Sequence, residues 1–177
     1  MYDTRNVVDE FKGVPHEMIV QALDERGVEL EIAIENLERD FNMGTIVRTA
    51  NAFGVRTVHV IGRRQWNKRG AMMTDRYLQV EYHSTIDEFV AAINGKTMVV
   101  VDNIAQSQPL HTVALPRDAV LVFGAEGPGV SRELLSSADL VVAIEQLGST
   151  RSVNVGVAAG ISMYAWLQQH HILSRGL

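Results

Sequence analysis

Short runs of aliphatic and β-branched residues recur along the chain and predict the strands of a sheet. The first run, over 28–34 (VELEIAI), alternates with polar residues before it becomes fully apolar. Four more runs follow at 58–62, 98–101, 120–123 and 140–144. Runs without polar positions are typical of parallel strands that helices cover on both faces. The pattern therefore predicts five strands in a mostly parallel sheet.

Segments with apolar residues at helical spacing lie between these runs. They predict helices over 15–26, 42–54, 85–93, 130–136 and about 154–170. Strands and helices that alternate in this way are typical of an α/β fold with helices on both faces of the sheet. Because 177 residues without a linker suit one core, we expect a single domain over 1–177, with a short helical extension over 1–27.

The last predicted helix has no polar face. Its sequence from residue 154 to 167, NVGVAAGISMYAWL, is almost entirely apolar or small. A helix that is apolar all round must be covered on all sides, and in a chain of this length a subunit interface is the simplest cover. We therefore predict a homodimer.

The composition excludes several classes of site. The absence of cysteine excludes disulfides, thiolate metal sites and thiol nucleophiles. The six histidines show no metal-ligand spacing, so we expect structural or solvated histidines and no bound metal. No apolar run approaches the ~18 residues of a membrane span, and the first residues lack the pattern of a signal peptide. These features predict a cytoplasmic protein that binds no membrane.

The net charge of −5 hides an uneven distribution of charged residues. Residues 1–40 hold eleven Asp and Glu against four Lys and Arg, whereas residues 56–76 hold six Lys and Arg against a single Asp. Cations interspersed with aromatic residues are typical of surfaces that bind phosphates and stack bases. A solvated polar loop is the alternative. The candidate RNA-binding residues are Arg63, Arg64, Trp66, Lys68 and Arg69, with Tyr77 nearby.

Two glycine-rich turns follow the last two apolar runs, at 124–129 (GAEGPG) and 145–152 (EQLGSTRS). Tight strand-to-helix turns need glycine in any case, so the glycines alone are weak support for a nucleotide. Glu126 is more informative, because its carboxylate would repel a phosphate and favours a cationic or hydroxylated ligand. Loops at the carboxyl ends of neighbouring strands are where α/β sheets bind ligands, and we expect a cofactor pocket there.

Four polar residues, three at helix starts and one within a helix, have more than one interpretation. Asn42 lies where the helix 42–54 begins, and Ser152 and Asn154 lie where the last helix begins, so each suits a helix cap as well as a site. Arg48 lies about 200° around its helix from Ile46, at ~100° per residue, and so points away from the buried face. A solvated cation is the ordinary interpretation of such an arginine.

Three of these segments together resemble the three motifs of the SpoU (TrmH-like) branch of the SPOUT methyltransferases. They are NMGTIVRTANAFG over 42–54, LVFGAEGPG over 121–129 and SVNVGVAA over 152–159. Their order and spacing are far more specific than any one motif. The resemblance covers residues 30–167.

The resemblance implies an α/β fold whose C-terminal part, about residues 97–170, is tied in a deep trefoil knot. It implies S-adenosylmethionine as the cofactor and methyl transfer to a ribose 2′-hydroxyl of tRNA or rRNA, with a site shared across a homodimer. The catalytic residues that it implies are Arg48, Asn42, Glu126, Ser152 and Asn154. The implied cofactor-binding residues are Asp102, Asn103, Gly124, Glu126, Gly127, Gly129, Ile144, Leu147, Ser152 and Val153.

One departure from the family pattern lies in the second turn. Many members carry Ile-Pro where this chain has Ile144-Glu145, so the cofactor loop loses a rigid residue and gains a charge.

Two other classes of function compete with an RNA methyltransferase. A non-catalytic RNA-binding or ribosome-assembly protein could keep the knotted fold, but it would have no need of the whole implied catalytic set. A dinucleotide-dependent oxidoreductase is disfavoured, because no GxGxxG motif follows the first strand with an acidic residue ~20 positions later.

Overall fold

The sheet of this protein contains seven strands, all paired in parallel, in a computed structural model that describes residues 7–36, 42–125 and 128–173. The strands are β1 Glu31–Asn36, β2 Thr57–Gly62, β3 Gln79–His83, β4 Thr97–Val101, β5 Gln108–Pro109, β6 Ala119–Phe123 and β7 Leu140–Ala143. Their order across the sheet is β3-β2-β1-β6-β4-β7-β5. Strand β6 lies at the centre, and all five of its residues are buried.

Helices cover both faces of this sheet. They are α1 His16–Glu25, α2 Met43–Ala52, α3 Ile86–Ala92, α4 Arg132–Ser137 and α5 Val155–Leu167, the last continuing into a π-helical turn at Gln168–Ile172. The buried residues of α2 and α5 share one apolar cluster with Ile32 and Ile34 of β1. Those of α3 and α4 share a second cluster with Ala33 of β1. The alternation of side chains along a strand therefore divides the core into two layers.

The predicted parallel α/β architecture is confirmed, with two differences in the strands. The first strand begins at Glu31 rather than Val28, because Val28 leaves the sheet and forms an isolated bridge with Val55. The sequence pattern missed β3 and β5, which lie at the two edges of the sheet. The trefoil knot, the single domain and the extension over 1–27 stay predictions.

The helix ends follow local signals in the sequence. Thr85 precedes α3, and its hydroxyl accepts a hydrogen bond from the Glu88 N–H, while the Glu88 carboxylate accepts one from the Ser84 N–H. Ser131 caps α4 by accepting from the Leu134 N–H. These contacts satisfy amide groups that the first turn of a helix leaves without partners.

Helix α5 is apolar all round but is buried on one side only in the single chain. The buried side carries Gly156, Ala159, Ser162, Met163 and Trp166. The opposite side exposes Val157, Ile161 and Tyr164 by 53%, 41% and 49%. None of the helices in the described ranges is long and apolar enough to cross a membrane.

The basic segment, residues 63–77, is partly buried and so differs from the solvated polar loop that the sequence leaves open as the alternative. It forms two 3₁₀ turns, Lys68–Ala71 and Thr74–Arg76, and buries Ala71 and Thr74. Tyr77 is only 5% exposed and packs with Phe11 and Ile19. The expectation that Tyr77 lies on an RNA-binding surface is therefore wrong, because the turn before β3 directs its ring into the core.

Two contacts fix the basic segment against the rest of the fold. The buried Asn36 side chain donates hydrogen bonds from Nδ2 to the carbonyl oxygens of Arg63 (2.5 Å) and Gln65 (3.2 Å). At the start of α2, a Cβ on Gly44 would lie 2.7 Å from the Ala71 nitrogen and 2.8 Å from the Gly70 Cα. The helix therefore touches the backbone of the segment directly, which only glycine permits.

Replacing Gly44 with alanine is expected to lower the free energy of unfolding by about 1–3 kcal/mol, because the added methyl group must displace backbone. Urea denaturation of the variant and the wild type measures the difference. Gly160→Ala is the matched control, because its added Cβ would lie 3.8 Å from the nearest atom, Thr49 Cγ2. Helix propensity favours that alanine by up to about 1 kcal/mol. Equal stabilities for the two variants would contradict the close contact.

Candidate active site

A cavity of about 320 Å³ lies where the carboxyl ends of β4, β6 and β7 meet. The strand ends and the loops that follow them supply its lining, together with the first turn of α5. The lining residues are Val101, Asp102, Asn103, Phe123, Gly124, Ala125, Pro128, Gly129, Val130, Ala143, Ile144, Gln146, Arg151, Ser152, Val153, Val155 and Ala158. This is the edge at which the sequence predicts a pocket.

The glycine-rich turn after β6 is held by Asp102 at the end of β4. Asp102 Oδ2 accepts a hydrogen bond from the Val130 N–H at 2.9 Å. The Asp102 carbonyl accepts one from the Ser107 hydroxyl at 2.6 Å, so the residue connects two loops. Gly124 is required here, because a Cβ on it would overlap the backbone of Gly129 and Val130. The turn therefore closes tightly beside the cavity.

The predicted cofactor-binding residues divide into three groups. Those that line the cavity are Asp102, Asn103, Gly124, Gly129, Ile144, Ser152 and Val153. Leu147 does not line it, and its side chain is fully exposed. Glu126 and Gly127 lie outside the described residues. Their roles in cofactor binding stay predictions.

Gln146, Arg151 and Ala158 also line the cavity, although sequence reasoning did not select them. Gln146 and Arg151 belong to the turn 145–152, which the sequence assigned to the pocket. Their position between Ile144 and Ser152 was therefore the sequence feature that could have identified them. The Gln146 Oε1 atom is buried and has no hydrogen-bond partner in the described part of the chain. A buried acceptor without a donor costs about 1–3 kcal/mol, and a ligand donor would remove that cost.

Asn154 links the cavity mouth to α2. Its Oδ1 accepts hydrogen bonds from the N–H groups of Gly156 (3.0 Å) and Val157 (3.3 Å), so Asn154, and not Ser152, caps α5. Its Nδ2 donates to Asn42 Oδ1 at 3.0 Å. Asn42 occupies the cap position of α2, but its side chain makes no cap hydrogen bond. One asparagine therefore serves as a cap, and the other serves as its partner across the site.

Arg48 lies on the exposed side of α2, as the helical spacing predicts. Thr45, one turn earlier, reaches the start of α5, since its Cγ2 would be 3.3 Å from a Cβ on Gly156. Side chains three positions apart are neighbours on a helix surface, so Arg48 extends the side of α2 that meets α5. Within the described residues its guanidinium has no ion pair or hydrogen bond. It is therefore free to bind an anion.

The basic surface consists of Arg63, Arg64, Trp66, Lys68, Arg69 and Tyr82. The three arginines are exposed, and the Arg64 guanidinium lies 4.7 Å from the centre of the Tyr82 ring. Trp66 is half-buried and donates from Nε1 to the Tyr82 hydroxyl at 3.4 Å. Tyr82 takes the place that the sequence assigned to Tyr77, and its position on the missed strand β3 explains why it was not selected.

Lys68 is less available than the arginines. Its ammonium group forms an ion pair of 2.8 Å with Asp75, and this hydrogen bond raises the pKa of Lys68. The ammonium group also lies 5.4 Å from the centre of the Trp66 ring. Lys68 therefore orients neighbouring side chains while it keeps its charge.

Known proteins are similar to this chain in sequence and in fold. A tRNA (guanosine(18)-2′-O)-methyltransferase of Escherichia coli K12 is 28% identical over 151 residues, which cover 82% of this chain and 66% of that protein. The crystal structure of the A. aeolicus TrmH/SpoU tRNA modifying enzyme superposes with a TM-score of 0.79 at 25% identity, over 90% of this chain and 84% of that chain.

A third similarity concerns the fold alone. The structure of an AdoMet-bound rRNA methyltransferase from Sinorhizobium meliloti matches with a TM-score of 0.72 at 22% identity, over 80% of this chain and 56% of that chain. The family model of the SpoU rRNA Methylase family matches residues 29–164, which is more than half of the chain. The resemblance seen in the three motifs is thereby confirmed, and the chain belongs to the SpoU rRNA Methylase family.

Proposed function

We propose that this chain transfers a methyl group from S-adenosylmethionine to a ribose 2′-hydroxyl of RNA. The observation that carries the proposal is the hydrogen bond between Asn154 and Asn42, which joins the cavity to the helix that bears Arg48. The names of the E. coli and A. aeolicus relatives support methyl transfer to RNA as the reaction class.

The cavity fits the proposed cofactor. S-adenosylmethionine supplies a methyl group on a positively charged sulfur, together with an adenine ring and polar ends. Apolar strand ends, Val101 and Phe123 among them, suit the flat ring, and the unpartnered Gln146 Oε1 offers an acceptor for an amino group. The lining holds both a carboxylate, that of Asp102, and a guanidinium, that of Arg151, so it offers partners to charged groups of either sign on the cofactor. Binding of AdoMet in the S. meliloti protein, which shares the fold, agrees with this assignment.

Arg48 is the residue to which we assign the main catalytic role. A ribose 2′-hydroxyl is a poor nucleophile, so its developing negative charge must be stabilised or its proton removed as it attacks the methyl carbon. An arginine side chain stays protonated in proteins and therefore does not act as a base. We infer that its free guanidinium holds the phosphate beside the target ribose and stabilises the developing alkoxide. The proton then passes to that phosphate or to water.

Three of the other implied catalytic residues position this chemistry, while Glu126 lies outside the described residues and its catalytic role stays a prediction. The Asn42–Asn154 hydrogen bond sets the distance between the starts of α2 and α5. Ser152 lines the cavity two residues before the cap and offers a hydroxyl to either the cofactor or the ribose. The asparagine pair and Ser152 would thus supply polar groups where we expect the cofactor and the RNA ribose to meet.

We propose the basic surface as the RNA-binding site. Exposed arginines next to half-buried Trp66 and Tyr82 combine phosphate binding with faces on which a base can stack. We propose tRNA as the first substrate to test, because the E. coli relative is named for guanosine 18 of tRNA. Ribosomal RNA is the second, as the name of the family indicates.

We also propose that the active form is a homodimer in the cytoplasm. The exposed side of α5 presents Val157, Ile161 and Tyr164 at helical spacing, which gives a continuous apolar stripe. A second copy of this stripe would cover it by two-fold symmetry. The stripe begins one turn after Asn154, so such an interface would lie beside the cavity mouth.

Arg48→Ala is expected to lower the rate of methyl transfer by roughly 100-fold or more, because transition-state charge loses its partner. Transfer of labelled methyl groups to purified tRNA and rRNA measures the rate, and calorimetry measures cofactor affinity, which should stay near wild type. Arg117→Ala removes another exposed arginine, one that is paired with Glu29 before the amino end of β6, and is the control. A parallel loss of cofactor affinity in Arg48→Ala would contradict the assigned role. Wild-type protein that binds RNA without transferring methyl groups would support the non-catalytic alternative.

Changing Arg63, Arg64 and Arg69 together to Gln is expected to weaken RNA binding and to flatten its salt dependence. Each cation that contacts a phosphate contributes about one unit to the slope of log K against log salt concentration. Lys68 is left in place because it is paired with Asp75. The control changes Lys12, Arg26 and Arg117 to Gln, which alters the net charge equally elsewhere. Equal salt slopes for the two triple variants would exclude the basic surface as the RNA-binding site.

Ile161→Glu is expected to convert the dimer into a monomer, because a carboxylate would be buried without a partner in the apolar interface. Sedimentation velocity at micromolar concentration measures the mass. Val90→Glu on α3, where Val90 has a similar exposure of 37%, should leave the dimer intact. A monomeric wild-type protein would refute the homodimer.

A further inference from the structure

Two buried histidines face each other beneath α3, on the side of the sheet away from α2 and α5. His59 on β2 and His83 on β3 are only 2% and 8% exposed. Their rings contact the buried Phe89 of α3, at 5.4 Å and 5.7 Å between ring centres. The proposed methyltransferase site uses none of these residues. Twenty-four positions separate the histidines in the sequence, so no local spacing reveals the pair.

A carboxylate fixes the orientation of His59. Glu31 Oε2 lies 3.0 Å from His59 Nε2, and the other oxygen of Glu31 is paired with Lys96 at 3.0 Å. This arrangement holds the proton on Nε2 and leaves the lone pair on Nδ1. Carboxylate–histidine pairs of this kind orient metal-binding imidazoles in many proteins.

Three ligand atoms converge at the other side of the His59 ring. His59 Nδ1 lies 2.9 Å from His83 Nε2 and 3.5 Å from Glu81 Oε2. All three ligand atoms lie within 4.8 Å of one another. We propose that His59, His83 and Glu81 bind one divalent transition-metal ion of the zinc type, with Glu31 as the supporting carboxylate.

The chemistry of the three groups suits such an ion. Two imidazoles and a carboxylate form a common set for zinc, and the fourth position of the tetrahedron is left for water. Glu81 is half-exposed and gives the ion a route from solvent.

The two rings must adjust to hold an ion. Two nitrogens that bind one tetrahedral zinc ion at about 2.0–2.1 Å lie ~3.3 Å apart, whereas these two lie 2.9 Å apart, so the nitrogens must separate by about 0.4 Å and the rings must turn their lone pairs toward the ion. His83 is the last residue of an edge strand, so only one neighbouring strand restrains its backbone. Without the ion, His83 donates its Nε2 proton to His59. With the ion, that proton moves to Nδ1 of His83 through solvent, so that Nε2 can bind the ion.

The site would join the two ends of the basic segment. His59 precedes that segment on β2, and Glu81 and His83 follow it on β3. An ion held by both strands would fix the edge of the sheet on which the basic surface is built. Its effect on stability does not depend on the proposed methyltransferase activity.

Titration of chelator-treated protein with zinc chloride tests the site. Calorimetry is expected to give one zinc ion per chain, and saturating zinc should raise the melting temperature of the wild type. Loss of a supporting carboxylate commonly weakens metal binding by 10–100-fold, so loss of a direct ligand in Glu81→Gln should weaken it at least roughly tenfold. Because Glu81 is half-exposed, this variant avoids the folding problem expected for a change at buried His59.

His83→Gln should weaken zinc binding in the same way. His111→Gln is the matched control, because it removes an exposed imidazole that is also paired with a carboxylate, that of Glu145. It should bind zinc like the wild type. Absence of stoichiometric binding in the wild type would overturn the proposal. Equal affinity in the wild type, Glu81→Gln and His83→Gln would also overturn it.

Discussion

The contact between the starts of α2 and α5 is the constraint on which the candidate active site depends. It joins residues 112 positions apart through a side-chain hydrogen bond between Asn154 and Asn42. Small residues allow the two helices to approach, with Thr45 meeting Gly156 and Thr49 meeting Gly160. Without this contact, the cavity at the strand ends and the arginine on α2 would belong to unrelated parts of the surface.

The same asparagine illustrates how one side chain can serve folding and function together. Its oxygen satisfies two amide groups that the first turn of α5 would otherwise leave without partners. Its side-chain nitrogen donates a hydrogen bond to Asn42. Because the amide group is planar, the cap fixes the direction of that remaining donor. The local need of one helix therefore orients a group toward the other helix.

Most of the fold could be predicted because its strands are buried on both faces. Runs such as VLVF in β6 carry no polar residue, so a buried strand can be predicted from them without knowledge of distant contacts. The missed strand β3 reads QVEYH, in which polar residues alternate along an exposed sheet edge. The other missed strand, β5, has two residues and ends in proline. Edge strands have weak sequence signals because only one neighbour and one face constrain them.

The candidate site was less predictable, because it depends on distances that a sequence does not contain. The segment Ser152–Asn154 offered two caps of similar propensity, and only the position of the α5 amides decides for Asn154. Tyr77 and Tyr82 both lie near the cations in sequence. Tyr77 lies in a turn that buries its ring. Tyr82 lies on β3, and the alternation of side chains along that strand places its ring beside Trp66. The outward direction of Arg48, by contrast, followed from helical spacing within one element.

The order of the strands has a consequence for how such a protein can evolve. The cavity is built from the loops after β4, β6 and β7, whereas the basic segment connects β2 to β3 on the other side of β1. Loops tolerate substitution and insertion better than the strands that carry them. Under the proposed function, RNA recognition and cofactor binding depend on separate stretches of sequence, and α2 lies between them. Substitutions in the basic segment would then change the RNA that is bound without altering the cofactor cavity.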